Sequence, residues 1–261
     1  MPTVEPKTAL ITGASYGIGL ELARIFARKG YHLVLVARSA DKLRQLASEL
    51  EKAHGTRSLI LAVDLSEPGA AAYVVDQTTR AAIELHVLVN NAGFGQYGIF
   101  AENDLEECLR QIQLNVTTLT HLTRLYLPAM MERKNGKILN VASTAAFQPG
   151  PLMAVYFATK AYVLHFSEAL GNEVQNSGIT VTCLCPGATT TEFHKRARTT
   201  GLRLLKFGSM DAATVAEDGY RALMAGKPVV ISGFKNWLLA ESLRFAPRRL
   251  VTAVARKIQE K

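Results

Sequence analysis

The feature that most limits how this chain can fold is the passage from residues 7–12 (KTALIT) into Thr12-Gly13-Ala14-Ser15-Tyr16-Gly17-Ile18-Gly19. A short apolar run enters a glycine-rich turn, and Leu22, Ala23, Ile25, Phe26 and Ala27 then keep helical spacing up to Gly30. Strand, glycine turn and helix in that order are the setting of a phosphate-binding loop. Glycines let the backbone approach a pyrophosphate, whose charge meets the helix N-terminus. The spacing is G-x-x-x-G-x-G rather than G-x-G-x-x-G, and taken alone it is also compatible with a structural bend.

Similar apolar runs recur at His32–Ala37 (HLVLVA) and at residues 57–63, 86–90, 137–141, 178–185 and 228–232. Their continuous apolar character is that of strands covered on both faces. Helical patterns separate them: Ala40–His54, about 67–83, and a long one over 102–134 that contains Asn115. The end of the second run is informative. An NAD-binding fold places an acid there for the ribose 2′-hydroxyl, and an arginine accommodates a 2′-phosphate. Ala37 and Arg38 stand at that point, with no carboxylate before Asp41, so the reading is NADP(H). Asp64-Leu65 ends the third run, where the acid can meet an adenine amino group or cap the next helix, with Ser66 as a competing cap. Asn91-Ala92-Gly93 follows the fourth run as a turn.

In open α/β sheets ligands bind at the carboxyl ends of strands. Ser143 stands at such an end, and Tyr156 follows thirteen residues later, beyond the Pro149-Gly150-Pro151 turn. Two hydroxyls aimed at one point suit a carbonyl oxygen that gains negative charge. Tyr156 and Lys160, four apart on a helix, project from one face. An ammonium beside a phenol, whose ordinary pKa is about 10, favours the phenolate. The pair is thus a candidate acid/base group. The alternatives are weaker: the six histidines show no metal-ligand spacing, and there is no G-x-S-x-G elbow.

The motifs together resemble the short-chain dehydrogenase/reductase family over about residues 5–232. Thr12–Gly19, Asp64, residues 90–93 (NNAG), Asn115, Ser143, Tyr156-x-x-x-Lys160 and Pro186-Gly187 occur in the family's order. The resemblance implies a single α/β domain, a doubly wound Rossmann-like parallel sheet of about seven strands flanked by helices, with a C-terminal helical extension over 233–261. It implies that Gly13, Ser15, Tyr16, Gly17, Ile18, Gly19, Arg38, Asp64, Leu65, Asn91, Ala92, Gly93, Pro186, Gly187, Thr189 and Thr191 line the cofactor. Thr189 departs from the family pattern, which has an aliphatic residue there. Tyr156 would be the general acid/base, and Lys160 would bind the nicotinamide ribose and lower the tyrosine pKa. Ser143 would hold the substrate carbonyl, and Asn115 would anchor a proton-relaying water. Residues 36–38 and 90–98 are similar to NADP-preferring, carbonyl-reductase-like bacterial members. The resemblance also implies a homodimer or homotetramer.

The expected reaction is hydride exchange between NADP(H) and a carbonyl or secondary alcohol. Phe94, Phe147, Met153 and Phe193 hint at a hydrophobic small-molecule substrate. Two alternatives are an NADPH-binding regulator without turnover and a membrane-associated reductase of acyl or lipid carbonyls. Residues 192–210 read as a substrate lid. The net charge of +8 lies in residues 192–261, which hold 14 Lys+Arg against 6 Asp+Glu, whereas residues 1–191 hold 16 of each. The basic residues do not alternate with exposed-looking aromatics, which speaks against nucleic acid. From residue 247 onward, Leu250, Val251, Val254 and Ile258 form the apolar side of a basic amphipathic helix, suited to packing on the protein or to a membrane surface. Three cysteines that cannot all pair, the lack of an apolar leader in residues 1–7 and the absence of a ~20-residue apolar run point to the cytoplasm.

Overall fold

A computed structural model describes residues 7–193, 197, 199 and 208–260. The residues proposed as a substrate lid fall largely outside that set. Seven strands, β1 (Thr8–Thr12), β2 (His32–Ala37), β3 (Ser58–Ala62), β4 (Val87–Asn90), β5 (Gly136–Val141), β6 (Ile179–Cys185) and β7 (Val229–Ile231), form one sheet. Every pairing is parallel, in the order β3-β2-β1-β4-β5-β6-β7. The order reverses between β1 and β4, which opens a crevice at their carboxyl ends.

Alternation along the strands sends side chains to opposite faces. Ala9, Ile11, Leu33 and Leu35 pack with Leu22, Phe26, Leu43 and Leu50 of helices α1 (Gly17–Arg28) and α2 (Ala40–His54). The same cluster takes Val215 and Leu223 from α7 (Ala212–Met224). Leu10, Val34 and Leu88 face the other way, against Val74 of α3 (Ala70–Arg80) and Leu122 and Met130 of α5 (Leu119–Glu132). The continuous apolar runs thus match a sheet covered on both faces.

Two helices differ from the expectation. The pattern over 67–83 shortens to Ala70–Arg80 because Gly69, at φ +82°, bends the chain just before it. Neither Asp64 nor Ser66 caps that helix. The long pattern over 102–134 breaks into α4 (Leu105–Ile112), capped by Asp104, a π-helical stretch at Gln113–Thr118, and α5. A π turn inserts a residue into the hydrogen-bond ladder, and such turns gather at functional sites. Apolar spacing does not register it, since the periodicity drifts by a single residue.

Behind the site runs a buried amide chain. Asn90 Nδ2 donates to Asn140 Oδ1 at 2.9 Å and to Thr123 Oγ1 at 3.0 Å, and Asn140 Nδ2 donates to Ser167 Oγ at 2.9 Å. It ties β4 and β5 to α5 and to α6 (Ala154–Glu173). Replacing Asn140 by alanine removes two buried hydrogen bonds, to Asn90 and to Ser167, so urea unfolding should show a loss of about 1–3 kcal/mol. An unchanged midpoint would show that the network adds nothing.

Candidate active site

Thr12, the last residue of β1, closes the base of the crevice. Its hydroxyl accepts the Asn91 and Ala92 amides, each at 3.0 Å, and donates to Val89 O at 3.2 Å. Asn91 Nδ2 returns bonds to the carbonyls of Thr12 at 2.8 Å and Gly13 at 3.3 Å. The glycine turn and the Asn91–Gly93 turn are therefore one unit. Gly13 and Gly17 take φ of +68° and +53°, a conformation that L side chains rarely adopt. A Cβ on Gly17 would also meet Thr191 Cγ2 at 2.7 Å, so the segment after Pro186-Gly187 reaches across to the glycine turn. Among the described residues no side chain caps α1, and its first turn carries no acid. Its amides and positive end are thus suited to a diphosphate, and the residues fit the expected dinucleotide.

Arg38 and Asp64 lie at the outer strand ends. Arg38 Nη1 is 3.5 Å from Asp64 Oδ2, and Arg110 Nη2, which sequence reading missed, is 3.0 Å from the same oxygen. Ser66 donates to Asp64 Oδ1 from its amide at 2.9 Å and its hydroxyl at 2.6 Å. Burial alone would raise the Asp64 pKa, but the two Ser66 bonds with Arg38 and Arg110 hold it below the usual range. Leu65 is buried and its carbonyl accepts Thr118 Oγ1 at 2.7 Å. Tyr16 lies just ahead of α1, with Lys42 Nζ 3.8 Å above its ring.

Ser143 lies two residues beyond the end of β5 and caps the 3₁₀ turn Thr144–Phe147. Its Oγ accepts the Ala145 amide at 3.1 Å and donates to Pro186 O at 3.3 Å. Asn115, in the π stretch, accepts the Phe94 amide at 3.1 Å, donates to Phe94 O at 2.9 Å, and donates to Thr159 Oγ1 at 3.0 Å. Its side chain therefore holds the 94–95 segment against α6. Gly93 packs beside Asn115 and Lys160: a Cβ there would lie 3.0 Å from Asn115 Oδ1 and 3.5 Å from Lys160 Nζ. Thr189 sits buried with its hydroxyl donating to Gly187 O at 3.0 Å, while Thr191 Oγ1 accepts the Phe193 amide at 3.2 Å.

Tyr156 and Lys160 occupy the first turns of α6. Met153, Phe157, Ala145 and Ala197 form an apolar cluster around the tyrosine, joined by Tyr97 and Phe193. The Phe193 ring centroid is 5.2 Å from that of Tyr156. Of the four residues read as substrate-facing, Met153 and Phe193 are here. Phe94 is held by Asn115, and Phe147 packs elsewhere with Val163 and Leu164.

Lys160 is buried and donates from Nζ to Val141 O at 2.8 Å, with Nζ 5.8 Å from the Tyr156 ring centroid. The expectation of a phenol more acidic than usual is not met, because burial outweighs the groups that favour the phenolate. Burial pushes the Tyr156 pKa up to about 12, while the Ser143 hydroxyl pulls the other way. Burial likewise lowers Lys160 from 10.5 to about 8, opposed by Cys183 and Cys185. At neutral pH the pair is therefore a neutral phenol beside a cation.

This has a measurable consequence. Between about pH 8 and 10.5 the unfolded chain binds the Lys160 proton better than the folded one, so stability of the cofactor-free protein rises with pH. The full difference is about 3 kcal/mol, at about 1.4 kcal/mol per pH unit. Tyr156 acts oppositely: stability falls from about pH 10 to about 12 as the unfolded chain loses its phenol proton first. Melting curves across pH should show the first rise vanish in Lys160→Met; an identical rise in the variant would remove lysine as its source.

Fold and site together define a dinucleotide-type α/β protein with a serine, tyrosine and lysine gathered at one strand edge. The chain belongs to the short-chain dehydrogenase family, whose model matches residues 7–201. It is 37% identical over 175 residues to a very-long-chain 3-oxoacyl-CoA reductase of Laccaria bicolor, covering 66% of this chain and 52% of that one. Among solved structures it is similar to a short-chain dehydrogenase from Sphingobium yanoikuyae in complex with NADPH, with 35% identity and a TM-score of 0.81 over 92% of this chain and 94% of that one. It is also similar to a bulky-bulky ketone specific alcohol dehydrogenase from Comamonas testosteroni, with 31% identity, a TM-score of 0.78 and 93% coverage of both. The chain spans between half and two thirds of the length of the first curated relatives it matches.

Proposed function

We propose that this protein is an NADP(H)-dependent oxidoreductase that reduces a ketone carried on an apolar group. The observation that carries the reading is the meeting of Ser143, Tyr156 and Lys160 beside the Asn91–Gly93 turn, within an apolar surround. When bound, the nicotinamide would supply the hydride. Ser143 and Tyr156 hold the substrate oxygen by hydrogen bonds, which strengthen as that oxygen gains charge. The Tyr156 phenol, protonated at neutral pH, then passes its proton to the oxygen. The resulting phenolate lies next to the Lys160 cation, which stabilises it and favours return of a proton. Asn115 keeps the 94–95 segment and Thr159 in register so that Tyr156 is held in place.

Arg38, exposed at the end of β2 with no preceding acid, supports NADP(H) over NAD(H), as does the NADPH-bound Sphingobium structure. Relatives named as very-long-chain 3-oxoacyl-CoA reductases, together with the bulky-bulky ketone specific alcohol dehydrogenase, support a large apolar carbonyl substrate. The test is NADPH oxidation against a panel of 3-oxoacyl thioesters and aryl or branched ketones. Turnover rising with apolar size supports the reading; tight NADPH binding without turnover on any carbonyl would favour a regulator.

We also propose a homodimer or homotetramer in the cytoplasm. Exposed Leu109, Ile112, Leu125 and Tyr162 on α4–α6 offer an apolar subunit surface. Light scattering on the purified chain should give a mass that is a multiple of 28.4 kDa; a monomer would remove the idea.

A further inference from the structure

We infer that the C-terminal extension docks the protein on an anionic lipid surface, and that α8 (Phe234–Ser242) leads the contact. Only Ala240 of α8 is buried. Phe234 is 73% exposed and stacks on Trp237 with ring centroids 5.7 Å apart, and Leu238 and Leu239 are exposed beside them. Phe245, just beyond the helix, is 89% exposed. Helix α9 (Arg248–Gln259) adds Leu250 and Val254. That is seven large apolar side chains facing solvent within twenty-one residues.

From the sequence, the single apolar side of α9 suits either packing on the protein or a membrane surface, and the structure divides that side between the two. Val251, Ala255 and Gln259 turn inward, four residues apart, and Tyr97 OH donates to Gln259 O at 2.9 Å. Leu250 and Val254 turn outward. So α9 is fastened to the body through one side and presents the other.

Charge identifies the occupant. Residues 233–261 hold seven Lys+Arg against two Asp+Glu. Glu241 pairs with Arg244 and Glu260 with Arg256, which leaves Lys235, Arg248, Arg249 and Lys257 with no carboxylate partner among the described residues. Aromatic and leucine side chains ringed by unpaired cations match the boundary of an anionic bilayer, where rings enter the headgroup region and cations meet phosphate. A symmetric contact with a second copy would set this basic patch against another basic patch, which disfavours it. Among the described residues no helix is long and apolar enough to cross a membrane.

Trp237 is the single tryptophan and reports directly. The full-length protein is mixed with phosphatidylcholine vesicles, with and without phosphatidylglycerol. Expected are a blue shift of tryptophan emission and co-sedimentation with the anionic vesicles, both reduced by salt. The variant Phe234→Ser/Leu238→Ser/Phe245→Ser keeps the reporter and changes only exposed positions. It should partition at least about tenfold more weakly. Arg248→Gln/Arg249→Gln should lose about fivefold per cation, and only on anionic vesicles. Circular dichroism melts establish that both variants are folded. Absence of binding to either vesicle, or equal pelleting by the triple variant, overturns the inference. A lipid-independent emission shift that grows with protein concentration also overturns it, by making this face a subunit contact.

Discussion

Tyr156→Phe is expected to lower kcat for ketone reduction by about 10²- to 10⁴-fold while leaving NADPH affinity within a few-fold of the parent. The change removes one oxygen and leaves the ring in its apolar surround with Met153, Phe157 and Phe193. It also removes a group whose pKa burial has pushed up to about 12, so folding does not suffer from the loss of a charge at neutral pH. A steady-state assay with NADPH titration separates the two effects. A variant that keeps more than a tenth of the parent kcat would mean that the proton comes from elsewhere.

The second large effect concerns cofactor choice. Arg38→Leu should lower kcat/KM for NADPH by about 10- to 100-fold, the worth of a charged hydrogen bond at about 1.5–3 kcal/mol, and leave kcat/KM for NADH nearly unchanged. Arg38 sits 3.5 Å from Asp64, so the substitution also frees that carboxylate, which Arg110 still pairs at 3.0 Å. Asp64→Asn serves as the control for that loss. An NADPH/NADH ratio that does not move in Arg38→Leu would remove the arginine from 2′-phosphate recognition.

Much of this molecule is legible in the amino-acid order because buried strands and glycine turns leave local signals. The bounds of β2 and α2 follow from the apolar run HLVLVA and the helical pattern after Arg38. The Thr12–Gly19 turn also stands in the sequence, since positive φ at Gly13 and Gly17 demands glycine. What escapes is information carried by pairs distant in sequence. The Thr12 hydroxyl meets Asn91 and Ala92 from nearly eighty residues away, and Arg110 reaches Asp64 across forty-six. The π stretch around Asn115 adds one residue to a helix without disturbing its apolar pattern. The electrostatics of the Tyr156–Lys160 pair also escape, because spacing gives the approach of Lys160 to Tyr156 but not the burial that dominates both pKa values. The C-terminal helix shows the same limit: an apolar stripe fixes which residues share a side, and tertiary contact alone decides which part of it faces inward.

The most direct measurement of the central claim is the fate of an isotope. With NADPH deuterated at the transferable C4 position and a ketone that proves to be a substrate, the product alcohol should carry deuterium on the carbinol carbon. An alcohol whose carbinol hydrogen comes from water, or labelled NADPH that is never consumed in the presence of any carbonyl, would contradict the account.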